Sequence, residues 1–149
     1  MDRTLRISVV TETFFPQVNG VSRTLDRLVD YCSACGDRIQ LLTPRYAQEP
    51  KLHRSVEAVT WKSVNLPFYP EVVLPLVTTA SVAATLARFR PQLVHIATEG
   101  TLGRAALQAC RRLNLPVVSS YHTNFAQYLK MYRAGMLEPV CWKYLRWFH

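Results

Sequence analysis

The chain has 149 residues, 49% of them apolar, and a formal net charge of +8. That length suits one compact domain with an ample core, and no run of 18 apolar residues reads as a membrane-spanning helix. Residues 1–50 hold six basic and six acidic side chains, whereas residues 101–149 hold seven basic ones against Glu138 alone, a bias that predicts attraction to a polyanion: nucleic acid, anionic lipid or a phosphorylated substrate.

Met1-Asp-Arg-Thr4 leads straight into the first apolar run, with no separate h-region, so a cytoplasmic location is expected. Arg6-Ile-Ser-Val-Val-Thr11 has the composition of a buried strand. The loop Glu12 to Val21 carries Pro16 and the turn pair Asn19-Gly20. A helix follows, with Val21, Leu25, Leu28, Val29 and Cys32 on one face and Gly36 where a C-cap glycine belongs. A strand that feeds a glycine turn into a helix N-terminus is an anion site in waiting, because first-turn amides point outward and the helix dipole favours negative charge. Neither the dinucleotide fingerprint nor the P-loop pattern is present, so a plain tight turn is an equal reading of Asn19-Gly20.

The four cysteines stand at 32, 35, 110 and 141. Cys32-Ser-Ala-Cys35 has redox spacing but closes a helix, whereas a reactive pair opens one and gains a lowered pKa there. No second pair or ligand-spaced histidine completes a zinc site, so ordinary reduced thiols and no metal are expected.

Arg38 to Thr43 reads as a second strand, ended by Pro44. Residues 45–57 read as a loop, Ala58 to Val64 as a short strand, and Asn65 to Pro70 as a proline-bounded aromatic loop. A helix fits Thr78 to Arg90, stopped by Pro91. Leu93 to Ala97 is a further strand, followed by Thr98-Glu99-Gly100 and a helix with Leu102, Ala106, Ala109, Cys110 and Leu113 on one face. Pro116 to Tyr121 is the next strand, with His122-Thr123 directly after it. This alternation predicts the α/β class: a Rossmann-like parallel sheet with helices on both faces. In such sheets ligands bind beyond the carboxyl ends of the strands, which selects Glu12 to Gly20, Thr43-Pro44, Thr98 to Gly100 and His122-Thr123 on one rim.

The last segment differs. Glu138-Pro139 starts a helix, and Leu137, Val140, Cys141, Tyr144, Leu145 and Phe148 form an apolar stripe. Trp142, Lys143, Arg146, Trp147 and His149 occupy the other side, a mixture that suits a membrane interface or a second protein surface. The chain stops at His149 without a cap or polar tail, which reads as a truncation inside a helix.

His122 is the first candidate for chemistry, since an imidazole at the rim can donate to a sugar hydroxyl or a leaving-group oxygen; a strand-capping histidine is the alternative. His95, mid-strand, reads as a satisfied face residue. Glu99 is a rim carboxylate that equally well helps cap the next helix. Phe14, Phe15, Phe68 and Tyr69 lie in loops, where aromatics stack on sugar rings, hold acyl chains, or simply plug loop undersides.

Three motifs, Glu12-Thr-Phe-Phe-Pro-Gln-Val-Asn-Gly-Val-Ser22, Val94-His-Ile-Ala-Thr-Glu-Gly-Thr-Leu-Gly103 and Ser120-Tyr-His-Thr-Asn-Phe125, resemble those of family 4 glycosyltransferases in order and separation. The similarity covers essentially the whole chain and is strongest to bacterial GDP-mannose-dependent or glycolipid-forming enzymes. The resemblance implies a GT-B architecture of which residues 1–149 are the single, Rossmann-like, acceptor-binding N-terminal domain, cut before the nucleotide-sugar-binding domain. It implies that Asn19, Gly20 and Val21 face the donor diphosphate and that His122 contacts the donor sugar near the reacting centre. Glu12, Phe14, Phe15, Tyr69, Glu99 and Thr123 then fall on the acceptor side. Trp142, Lys143, Arg146 and Trp147 fall on a membrane- or domain-contacting face, with docking on the inner face of the cytoplasmic membrane. The implied reaction is retaining hexosyl transfer from GDP-mannose or a UDP-sugar to a lipid or glycan, with the leaving phosphate as base and no metal or other cofactor. The donor half's basic pair and paired glutamates have no counterpart here, so the chain alone is expected to be inactive.

Two other classes remain open from the residues themselves. One is a non-catalytic flavodoxin-like binding module that docks through its basic face. The other is a dinucleotide-dependent enzyme, weakened by the missing glycine fingerprint and by Thr43 where an acid belongs. The basic residues match no standard nucleic-acid motif, so nucleic acid is not an expected partner.

Overall fold

The β-branched run Arg6–Val10 forms the first strand, β1, and its alternation places Ile7 and Val9 on one face and Ser8 and Val10 on the other. The computed structural model describes residues 4–66, 69–122 and 135–149. The loop after β1 enters α1 (Gly20–Ala34), which ends in Cys35 and then Gly36 at φ +89°, the left-handed position the sequence assigned to that glycine. β2 (Arg38–Pro44) and β3 (Val56–Trp61) follow, then β4 (Ser63–Leu66) and β5 (Tyr69–Pro75). α2 (Thr79–Phe89), β6 (Leu93–Ile96), α3 (Thr101–Leu113) and β7 (Val117–Ser119) continue the alternation. The described chain closes with a 3₁₀ turn (Gly135–Leu137) and α4 (Glu138–Phe148).

The main sheet runs β3-β2-β1-β6-β7, and every pairing in it is parallel. β1 is therefore central, with Ile7 opposite both Ile39 and Leu93. α1 packs on one face, where Leu25 and Val29 meet Val9, Ile39 and Leu41. α2, α3 and α4 pack on the other, where Val82, Leu86, Leu102, Ala106 and Phe148 enclose Val10, Leu42, Val94 and Ile96. The expected α/β architecture is thus the observed one, a Rossmann-like sheet sandwiched between helices.

Two expectations are corrected. Of residues 65–70, read as a loop, Asn65 and Leu66 close β4 and Tyr69 and Pro70 open β5, an antiparallel ribbon in which Val64 faces Leu74 and Asn65 faces Val73. Prolines suggested a loop, but both strands of a two-stranded ribbon are edges, so Pro70 and Pro75 cost no interior ladder bond. The strand read as Ala58 to Val64 is likewise two strands that separate at Lys62.

Candidate active site

All parallel strands present their carboxyl ends to one rim, so the loops after β1, β6 and β7 share it. The loop after β1 is braced from within. The Thr11 hydroxyl donates to the carbonyl of Thr13 at 2.8 Å, and the Thr13 hydroxyl donates to Gln17 Oε1 at 3.1 Å. Tyr46 pins it from outside, accepting from the Phe14 amide at 3.1 Å and donating to the Glu12 carbonyl at 3.0 Å. Burial raises the Tyr46 pKa, which keeps that phenol proton in place.

Asn19 caps α1. Its Oδ1 accepts from the Ser22 amide at 2.9 Å, while Ser22 Oγ accepts from the Asn19 amide at 3.0 Å, a reciprocal capping box. Asn19 Nδ2 is spent on Thr13 Oγ1 at 2.7 Å. The Asn19 side chain is therefore occupied, and among the described residues only Gly20 and Val21 keep first-turn amides without a partner. Gly20 is exposed and Val21 half-buried, and a Cβ added at Gly20 would meet nothing within 4 Å.

Glu12 has a different place from the one expected. Its carboxylate accepts from the amides of Leu102 at 2.6 Å and Gly103 at 3.0 Å and from the Thr98 hydroxyl. The N-cap of α3, Gly100, has no side chain to offer, so Glu12 supplies the missing acceptor and its charge sits at the positive end of the helix dipole. That approach leaves no room for side chains: a Cβ at Gly100 would lie 2.6 Å from Glu12 Oε1, and one at Gly103 would lie 1.9 Å from the Thr98 carbonyl. Glu12 thus ties two rim loops together, with its side chain half-buried. Phe14, expected on the acceptor side, is corrected. It is 0% exposed and packs with Leu25, Val29 and Leu41 in the core beneath α1. Phe15 is half-buried against the same cluster, with its ring edge-on to Phe14 at 6.0 Å. Thr123, Phe68 and the side chain of Tyr69 lie outside the described residues.

His122 emerges exposed beyond β7, and its Nε2 lies 2.8 Å from Ser120 Oγ. The same hydroxyl lies 2.9 Å from Nε2 of His95, which the sequence assigned to a satisfied strand face. One serine thus bridges an exposed and a half-buried imidazole. Burial, and then the neighbouring His122, lower the pKa of His95, so it favours the neutral form.

Glu99 is not an open rim carboxylate. Its side chain is 4% exposed, and Oε1 lies 3.1 Å from His149 Nε2. His149 Nδ1 in turn lies 2.8 Å from Ser119 Oγ, and the Tyr144 hydroxyl donates to the Glu99 carbonyl at 2.6 Å. Burial raises the Glu99 pKa, against the opposing hydrogen bond from His149. Burial also pushes the Tyr144 phenol up to about 12. Glu99 is therefore the anchor of α4 on the sheet rim.

α4 buries Leu145 and Phe148, while Leu137 and Val140 are exposed, so the apolar stripe is shorter than its spacing indicated. Lys143 and Arg146 face solvent, with Trp142 and Trp147 at 37% and 41% exposure. The Arg111 guanidinium from α3 stands 5.1 Å over the Trp147 ring, a cation–π contact that extends the basic face. Among the described residues no helix is long and apolar enough to cross a membrane. No three His, Cys, Asp or Glu side chains among them converge as metal ligands. Cys32 and Cys35 carry free thiols.

Tyr46, Thr98, Ser120, Tyr144 and His149 were not picked out as organisers of the rim from the sequence. Each acts through a partner distant in the chain or shared between two groups, and no spacing rule marks such a residue.

The model of Glycosyltransferase Family 4 matches residues 18–149. The chain is 28% identical over 151 residues to a GDP-mannose-dependent alpha-mannosyltransferase of Corynebacterium glutamicum, covering 99% of this chain and 36% of that protein. It is 31% identical over 148 residues to a protein of the same name from Mycobacterium tuberculosis, covering 97% and 39%. It is 28% identical over 147 residues to an alpha-monoglucosyldiacylglycerol synthase of Streptococcus pneumoniae, covering 95% and 32%. The chain therefore spans less than half the length of these relatives. With the family's model matched across α1 to α4 on this parallel-sheet scaffold, the chain belongs to glycosyltransferase family 4.

Proposed function

We propose that this chain is the acceptor-side, N-terminal part of a retaining hexosyltransferase of the GT-B architecture. It moves a mannose- or glucose-type sugar from a nucleotide sugar, GDP-mannose or a UDP-sugar, to a lipid or glycan acceptor. The observation that carries this reading is the shared rim of the open Gly20 and Val21 amides and the His122 imidazole. β1 and β7 are separated only by β6, so the carboxyl ends of those two strands stand roughly 10 Å apart on that rim.

The amides stabilise phosphate charge that grows as the glycosidic bond breaks. The His122 imidazole donates to the sugar or to the leaving oxygen. The acceptor hydroxyl attacks from the side the diphosphate leaves, and a departing phosphate oxygen takes its proton; no metal is assigned a step. The nucleotide is gripped by the part of the relatives' length that this chain does not span. α4 rests on an anionic membrane surface, on the cytoplasmic side, where a lipid acceptor resides.

Sugar transfer from GDP-mannose and UDP-glucose tests the reading. The chain alone is expected to be inactive, and a protein extended to the relatives' length is expected to turn over. His122→Ala in that longer protein lowers turnover by about 10²-fold or more with the fold retained. Robust turnover by residues 1–149 alone contradicts the half-site reading, and an unchanged rate in folded His122→Ala removes the histidine's role.

A further inference from the structure

The opposite edge of the sheet carries a second concentration of charge. Arg6 opens β1, Arg38 opens β2, and Arg88 and Arg90 close α2. These four, with Glu57 of β3 and the buried wall of Phe89, line one cavity of about 600 Å³. Four guanidiniums thus face one carboxylate. Among the described residues Glu57 pairs only with Arg88, at 3.7 Å, and both side chains are exposed, where such a pair neutralises little. Among the described residues Arg6, Arg38 and Arg90 have no ion-pair partner.

Two features make this more than a solvated basic face. First, the cluster is held in place: Arg6 Nε donates to the Arg90 carbonyl at 2.9 Å, and the Arg6 amide donates to Gln92 Oε1 at 3.0 Å. Second, Arg90 occupies the left-handed C-cap of α2 at φ 54°, where glycine sits without cost and where the comparable cap of α3 uses Asn114. An arginine there carries backbone strain that the cap alone does not require. Behind Arg6 and Arg38, on the same sheet face, stand Ser8 and Gln40. The Ser8 hydroxyl donates to Gln40 Oε1 at 3.0 Å, and Gln40 Nε2 is buried without a partner among the described residues. This end of the sheet is therefore polar and rich in donors.

We propose that the amino edge of the sheet is a second anion site, shaped for a phosphate monoester or diphosphate group. β1 has five residues, so the site lies roughly 15 Å from the rim that carries His122. The ligand is therefore a separate one. Guanidinium forks match phosphate oxygens in pairs, and an apolar wall such as Phe89 strengthens those charge-assisted bonds.

The test is pyrophosphate titrated into the ¹⁵N-labelled chain at about 0.15 M salt, with a short-chain phosphatidic acid kept below its micelle concentration as the second arm. Saturable shifts centred on the amides of Arg6, Arg38 and Arg90 are expected. Arg90→Gly, which relieves the left-handed cap while removing the guanidinium, is expected to weaken binding about tenfold or more, with thermal stability unchanged or higher. Arg38→Gln, at an exposed strand end, is expected to weaken it similarly. Binding of pyrophosphate alone assigns the site to a soluble phosphate, and binding of the phosphatidic acid assigns it to a lipid headgroup. Shifts confined to residues 19–22, affinity indifferent to both substitutions, or no saturation in either arm overturns the proposal.

Discussion

His95 and His122 share one serine hydroxyl but not one environment. His122 lies in solvent, whereas His95 stands half-buried in β6, where burial first and His122 second lower its pKa from 6.5. The unfolded chain therefore binds a proton at higher pH than the folded one. The stability this represents is complete above the unfolded value and is lost as pH falls through the folded one. Urea denaturation midpoints should drop as the pH is lowered from about 7.5 to about 5.5, and His95→Gln should flatten that slope. An identical slope in the variant would assign the pH dependence to other groups. Glu99 works in the opposite sense. Burial raises its pKa from 4.5, so its contribution is present below that value and is lost as pH rises.

At the level of elements, the join between β1 and α3 is made by a side chain. Glu12, two residues beyond β1, fills the N-terminus of a helix that begins nearly ninety residues later. Glu12→Ala leaves the part-buried amides of Leu102 and Gly103 without their charged acceptor and is expected to cost about 2 kcal/mol. Glu12→Gln keeps an oxygen there, loses the charge, and should cost about half as much. Denaturant midpoints of the two variants measure both values, and a neutral Glu12→Ala would show that water serves those amides equally well. The strand-loop-helix unit around α1 was legible because a β-branched run, a turn pair, a 3.6-residue stripe and Gly36 are all local signals. The role of Glu12 was not, since one carboxylate in a loop looks the same whether it meets a ligand or an amide from a distant helix.

For the whole molecule, the amino edge of the sheet and α4 gather basic residues on two separate surfaces. α4 offers Trp142, Lys143, Arg146 and Trp147, with Arg111 stacked behind Trp147. If that face rests on anionic lipid, reversing both charges in Lys143→Glu/Arg146→Glu should lower affinity for phosphatidylglycerol vesicles by more than tenfold, at roughly 1 kcal/mol for each basic residue removed. Co-sedimentation at low and physiological salt reads this directly, and unchanged vesicle binding would detach the membrane from α4. The excess of charge in the last third of the chain made this surface visible in the sequence. The arginine cluster at the amino edge was invisible there, because residues 6, 38, 88 and 90 come from strands and a helix far apart in the chain.

The alternation of strands and helices, the parallel sheet, the Gly36 stop after α1 and the family motifs followed from the sequence alone, because each is written in residues close together along the chain. Which polar groups are free and which are spent was decided only by the tertiary structure. A hydrogen-bonding group commits to whatever folding brings within about 3 Å, and for Glu12, Glu99, Ser120 and the four arginines that neighbour arrives from another element.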